Sequence, residues 1–300
     1  MKVVEPQVFL VARPQLDHAA LGEYLAQVGG SDWLARLDRG ELDSDALDEA
    51  ELDGGAPDGG APDGGALDGG APDGGRPRPG GADAQDLSEA AGRMCYRSWE
   101  PGLNPNVTKI RTDQTAYLRN VLASAHGSVL EHANFSFVLQ DVSRVLTHEL
   151  VRHRAGVAVS QESLRYVRLT ELPFWFPGWA QEDPELFERA SAVLTGLEEF
   201  QEWMTGHFGL AESGVDFAEK KHKTSFMRRF APEGLATGLV WTANVRTLRH
   251  VIAMRTAPGA EEEIRLVFGQ VARLMVAEAP ALFGDFAEQD GTWEPRWRKV

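Results

Sequence analysis

The chain has a single cysteine, Cys95, in 300 residues, so it forms no intrachain disulfide and holds no zinc through cysteine thiolates. Basic residues are also scarce. Lys and Arg number 30 against 45 Asp and Glu, a formal net charge of −15, whereas a nucleic-acid polymer is held by a basic footprint. No apolar run reaches membrane-spanning length, and Met1 to Pro6 lack the apolar stretch of a signal peptide. The expectation is a soluble, cytoplasmic protein with no membrane and no nucleic-acid polymer as partner. Outside a glycine-rich repeat no Gly-x-Gly-x-x-Gly occurs, which removes a Rossmann dinucleotide site. His148-Glu149 begins like a zinc-protease motif. The next histidine, His153, stands five residues on rather than four, about 100° further round a helix. No metal site is expected.

What is abundant is glycine, proline and aspartate in one place. From about Gly54 to Gly81 the chain repeats Ala-Pro-Asp-Gly-Gly, through Asp58, Asp63, Asp68 and Asp73. The period is far shorter than a solenoid unit, and no glutamate closes a calcium loop of the EF-hand kind. Without apolar side chains the stretch cannot offset the entropy of ordering. Residues 49–83 are therefore expected to be a disordered acidic insertion within one domain spanning 1–300, whose core covers about 86–286. A partner-docking tail is the other reading of the repeat.

The remainder alternates between two periodicities. Residues 3–12 suit a strand with Pro6 near its start, and Asp17 is placed to cap a short helix closed by Gly29-Gly30. Trp33, Leu34 and Leu37 suggest one more turn. Order is expected to return at Asp86-Leu87-Ser88, and Thr112 to cap a helix carrying Tyr117, Leu118, Val121 and Leu122. Ser128 to Glu131 has capping-box spacing, and Phe135, Phe137 and Leu139 alternate as in a half-buried strand. Pro184 starts a long amphipathic helix. A later helix is expected to hold Trp241, Val245, Leu248, Val251 and Ile252, and the last long one to start near Glu261. The fold class expected is α+β, helix-rich with a small mixed or antiparallel sheet.

The densest run of functional groups is His148-Glu149-Leu150-Val151-Arg152-His153-Arg154, followed after five residues by Ser160-Gln161-Glu162-Ser163-Leu164-Arg165-Tyr166. Its first half reads as a helix capped by Ser143 and ended at Ala155-Gly156. The second half is too polar for a core element. Guanidinium forks suit an anionic ligand; on composition alone a solvated helix end whose cations meet the C-terminal dipole fits equally. Further arginines, Arg228, Arg246, Arg249 and Arg255, lie on or near apolar helices, and Asn244, Arg246, His250 and Arg255 could share one ligand-facing side. Cys95 reads as a buried small hydrophobe rather than a nucleophile.

Five pieces fall in one order: Arg93-x-Cys95-Tyr96, His126-x4-Glu131-His132, Thr147 to Arg154, Ser160-Gln161-x-Ser163-x-Arg165-Tyr166, and Asn244-x-Arg246-x-Leu248-Arg249-His250-x4-Arg255. In this set the chain resembles the flavin-dependent thymidylate synthases. One departure is present. The family's signature puts serine after Arg-His-Arg and seven residues; here eight separate Arg154 from Ser163, the extra one falling within 155–159.

The resemblance implies a homotetramer with sites at subunit interfaces, converting dUMP to dTMP. Methylenetetrahydrofolate would supply the carbon, and FAD reduced by NADPH the hydride. It implies flavin contacts at Ser128, Arg152, His153, Arg154, Gln161, Asn244, Arg246 and His250. It implies dUMP contacts at Glu149, Leu150, Val151, Arg152, Gln161, Glu162, Ser163, Leu164, Arg165, Arg228 and Arg255. Arg255 takes the catalytic position, since a cation near uracil N3 and O4 stabilises the charge developing there. The alternative is a relative that binds FAD and nucleotide without synthase activity.

Overall fold

The computed structural model describes residues 1–38, 80–107, 109–165 and 171–300. The repeat up to residue 79 and Tyr166 of the arginine-rich stretch fall outside these, so the expected disorder does too. Pro6 divides the first expected strand into β1 (Lys2–Val3) and β2 (Gln7–Ala12), as a residue with no N–H to donate does. Asp17 caps α1 (His18–Val28), accepting from the Ala20 N–H at 2.9 Å, and Gly29 closes it at φ 79°. α2 (Ser31–Asp38) runs two turns, not one. Trp33 explains this: it is fully buried against Trp99, with ring centroids 5.3 Å apart, and donates to Glu89 at 2.9 Å.

α3 (Ala82–Tyr96) begins four residues before the expected Asp86, so Ala82 and Asp83 belong to a helix. α4 (Gln114–Ala123) is capped by Asp113, not Thr112; its carboxylate reaches the Ala116 N–H at 2.7 Å. Gly127–Glu131 is a 3-10 turn that contains Ser128, and no side chain caps it, so the expected capping box does not form. Then come β3 (Asn134–Ser143), α5 (Arg144–Leu150), β4 (Val157–Gln161), β5 (Pro173–Phe174) and α6 (Gly178–Gln181). The long α7 (Pro184–His207) and α8 (Phe217–Met227) follow. β6 (Ala236–Asn244), α9 (Val245–Arg255), α10 (Glu262–Glu278), α11 (Pro280–Phe283), β7 (Phe286–Gln289) and β8 (Thr292–Pro295) complete the chain.

Trp241 lies on β6 rather than in the helix expected there. Leu239, Trp241 and Ala243 are buried while Val240 and Thr242 are more exposed, a period of two; helix starts only after Asn244. β6 is central: the sheet order is β2-β3-β6-β4, antiparallel throughout, with Phe137 opposite Trp241 and Leu139 opposite Leu239. The buried face of this sheet meets α10, where Phe268 packs edge-on to Trp241 at 5.4 Å. Truncating either ring to alanine costs about 3–5 kcal/mol. On the other face Phe9 pairs with Val138, and Val138 with Val240, with Phe9 and Val240 47% and 42% exposed. β4 is an edge strand with no fully buried residue, which is why its sequence lacks a core pattern. The architecture is α+β. β1 and β5 form a separate parallel pair, and β7 and β8 a hairpin turned by Asp290-Gly291, both at positive φ.

Candidate functional site

The turn Ala155-Gly156 is stapled to the first turn of α9. Asn244 caps that helix through Thr247 N–H at 2.8 Å and donates its own N–H to the Gly156 carbonyl at 3.1 Å. Thr247 Oγ1 donates to the Ala155 carbonyl at 2.9 Å. Gly156 has φ +66°, and a Cβ there would stand 2.3 Å from Asn244 Nδ2. Regular strand begins at Val157, so within 155–159 the irregular positions able to absorb an extra residue are Ala155 and Gly156.

Beside this staple opens a cleft of about 470 Å³, lined by Arg152, His153, Arg154, Asn244, Arg246 and His250. Six of the eight expected flavin contacts therefore meet. Ser128 lies exposed on the 3-10 turn next to it, where Gly127 abuts Arg246. Arg246 pairs with Glu131 at 2.6 Å. Gln161 stays away, donating to Thr147 Oγ1 at 3.4 Å from the far end of β4.

Arg255, on the last turn of α9, reaches back across the cleft wall. Its Nη1 donates to Glu149 Oε2 at 2.6 Å, its Nη2 to the Glu149 carbonyl at 2.9 Å, and its Nε to His153 Nε2 at 2.9 Å. Burial pushes the His153 imidazole down to about 4, and the Arg255, His250 and Arg152 charges push the same way. His153 is thus a neutral acceptor at Nε2 with its proton on Nδ1. Its ring meets His250 edge to face at 5.9 Å.

The expected dUMP contacts divide: Glu149, Arg152 and Arg255 stay at the cleft, while Gln161 to Arg165 and Arg228 lie at the other end of β4. The Glu162 N–H donates to the Gly238 carbonyl at 3.0 Å, and its carboxylate accepts from Gly238 N–H at 3.2 Å and Thr237 Oγ1 at 3.4 Å. Ser163 Oγ accepts the Arg165 N–H at 3.4 Å, Leu164 is half-buried, and Arg228 is exposed on the 3-10 turn after α8. Among the described residues Arg165 Nε is buried without a partner, as is Arg144 Nη1. Arg144 is held below its ordinary range by burial first, then by the Arg228 charge, against an opposing pull from Glu233. This residue was missed. Its signal was a cation on the first helical position after a cap, the end where the dipole disfavours positive charge.

β4 separates the two groups: Val157 pairs with Ala243 and Gln161 with Leu239, a span of about 13 Å. Leu150 is fully buried in the core, so its side chain meets no ligand, whereas Val151 is exposed. Arg249 is likewise removed from the ligand side; it is buried and ion-paired to Asp285 at 2.6 Å. Cys95 proves exposed, not buried, because Arg93 takes the interior, paired with Glu89 at 2.6 Å. Among the described residues one trio, His18, Asp83 and Asp86, brings metal-capable atoms within 4.8 Å. Its carboxylates tie α3 to the chain before α1 and to α4: Asp83 accepts the Leu16 N–H and Asp86 accepts from Gln114, both at 2.8 Å.

A family model described as thymidylate synthase complementing protein matches residues 81–281. Two curated relatives, from Mycolicibacterium gilvum and Mycolicibacterium vanbaalenii, are named flavin-dependent thymidylate synthase. The first is 37% identical over 211 residues, covering 69% of this chain and 82% of the relative. The second is 38% identical over 203 residues, covering 67% and 78%. A solved structure of thymidylate synthase X from Helicobacter pylori with FAD and dUMP matches at TM-score 0.47 and 20% identity, over 67% of this chain and 93% of that one. The chain belongs to the thymidylate synthase complementing protein family, that of the flavin-dependent thymidylate synthases.

Proposed function

We propose that the chain reductively methylates dUMP to dTMP in the cytoplasm, with methylenetetrahydrofolate as carbon donor and FAD, reduced by NADPH, as hydride donor. One observation carries the reading. In a chain with 45 acidic residues, Arg152 and Arg154 both line the cleft; its one side-chain carboxylate, Glu131, is taken by Arg246, and neither arginine has an ion-pair partner among the described residues. Such guanidinium groups suit the pyrophosphate of a dinucleotide. Bound FAD would supply the hydride chemistry, and the protein the orientation. Arg255 spends three of its five N–H groups on Glu149 and His153, which leaves two for the uracil edge. Arg144, Arg165 and Arg228 form the natural receptor for the dUMP phosphate, with Ser163 as a hydrogen-bonding neighbour.

The span of β4 keeps Arg152–Arg154 and Ser160–Arg165 of one chain from closing on one nucleotide. Complete sites then form in a homotetramer, from the first group of one copy and the second group of another. The apolar outer sheet face, with Phe9 and Val240 exposed, supports contact between copies. Mixing two variants expected to lose turnover, Arg255→Ala and Arg165→Ala, tests this. Restored dTMP formation is expected after exchange of subunits; mixtures that stay inactive while hetero-oligomers form would refute it. The longer turn at 155–156 motivates the second reading, a binding relative without turnover, which FAD and dUMP binding with no dTMP would select.

A further inference from the structure

Glu263 is the second residue of α10, with 2% of its surface exposed. Its partners lie far away in the chain: one carboxylate oxygen accepts the Ser143 N–H at 2.6 Å, and the other accepts the Ser143 hydroxyl. Burial pushes its carboxyl above the ordinary range, Ser143's two donors pull it down, and the neighbouring Glu261 charge adds to the rise. No cation pairs with it among the described residues, so the charge is kept at a cost.

What the charge does is visible at Ser143. This residue ends β3 and caps α5, its hydroxyl oxygen accepting the Leu146 N–H at 3.1 Å. With the hydroxyl proton held by Glu263, a lone pair is left facing the helix. α5 has seven residues, too few to hold themselves in a helix. It carries Arg144 at one end and Glu149, the anchor of Arg255, near the other. α10 is fixed in the core by Ile264, Val267 and Phe268.

We infer that Glu263 is a positioning residue: acting through Ser143, it fixes the entry of α5 and so the placement of Arg144 and Glu149 for dUMP. The inference rests on the function proposed above. Glutamine is a poor substitute, because Ser143's two donors meet two different carboxylate oxygens and an amide puts an NH2 in place of one of them.

Glu263→Gln and Ser143→Ala, singly and together in the full chain, test it. Each single variant is expected to bind FAD as the unmodified protein does, while the KM for dUMP rises about tenfold or more, as misplacement of a binding group does. Amide exchange should quicken in residues 144–150 and not elsewhere. The double variant should lose less than the sum of the singles, since both remove the bond between the Ser143 hydroxyl and the Glu263 carboxylate. An unchanged KM, additive losses, or an equal loss of FAD, dUMP and thermal stability would overturn the inference. If Glu263→Gln fails to fold, Ser143→Ala gives the same two readings. Exchange needs no turnover, so it decides the clamp even if the unmodified protein makes no dTMP, a result that would instead sink the proposed function.

Discussion

Replacing Arg255 with alanine perturbs three things at once, and their sizes differ. The first is stability. The Arg255 and Glu149 side chains are 13% and 28% exposed, between a surface pair worth under about 1 kcal/mol and a buried one whose breakage costs about 3–5. A loss of about 2 kcal/mol follows, or about 4–8 °C in Tm. The second is chemistry. If the two spare N–H groups meet charge developing on the uracil, turnover falls about 10²- to 10³-fold. The third is His153, which loses the donor on its Nε2 and the second largest cause of its depressed pKa. Its titration should rise from about 4 toward 6.5, without reaching it, because burial remains the first cause. Steady-state dTMP formation, thermal melts and histidine NMR read the three separately, with flavin colour expected to persist. Near-normal turnover, or a His153 that still titrates near 4, would refute the reasoning.

Four further outcomes follow. Arg144→Ala should raise the KM for dUMP about ten- to hundredfold, the worth of a charged hydrogen bond, and leave FAD affinity alone; a parallel loss of FAD would contradict the separation of the two groups. Gly156→Ala forces φ +66° on a residue whose Cβ would sit 2.3 Å from Asn244 Nδ2; a cost of about 1–3 kcal/mol and weaker FAD binding are expected, checked by melts and visible absorbance. His153 has a folded pKa near 4, below its ordinary 6.5, so the native state holds fewer protons in that interval. Its stability contribution is complete above pH 6.5 and lost as pH falls to 4, about 1–2 kcal/mol after allowing for solvent screening; denaturant midpoints across that interval should lose this slope in His153→Gln. Deleting residues 54–79, which spares the Gly81 N–H bonded to the Glu278 carbonyl at 3.2 Å, should leave turnover and assembly unchanged; a lost partner in a pull-down would favour the docking-tail reading.

Helices with a strong apolar stripe and a local cap were legible in the sequence: α1 with Asp17, α5 with Ser143, and α10 with Glu261 all begin where their side chains bond the first turn. What could not be read was decided by partners distant in the chain. β6 is a strand because Phe137 and Val159 both pair with Trp241, although its apolar residues run straight into those of α9. β4 looks like a loop because an edge strand buries little. The hairpin β7–β8 did carry a local sign, Asp290-Gly291, a turn pair that favours hairpins. In the site, residue types and order identified the cleft group, since Arg152 to Arg154 and Asn244 to His250 are short blocks that one staple brings together. Arg144 and Glu263 stayed hidden because what marks them comes from far along the chain: the Arg228 charge, 84 positions from Arg144, and Ser143, 120 positions from Glu263.

The central claim is tested most directly by following dTMP formation from dUMP with the purified full chain, supplied with methylenetetrahydrofolate and NADPH, with and without FAD. The account predicts a yellow protein that makes dTMP only when FAD and the folate donor are both present. A colourless protein that takes up no added FAD and forms no dTMP would contradict it.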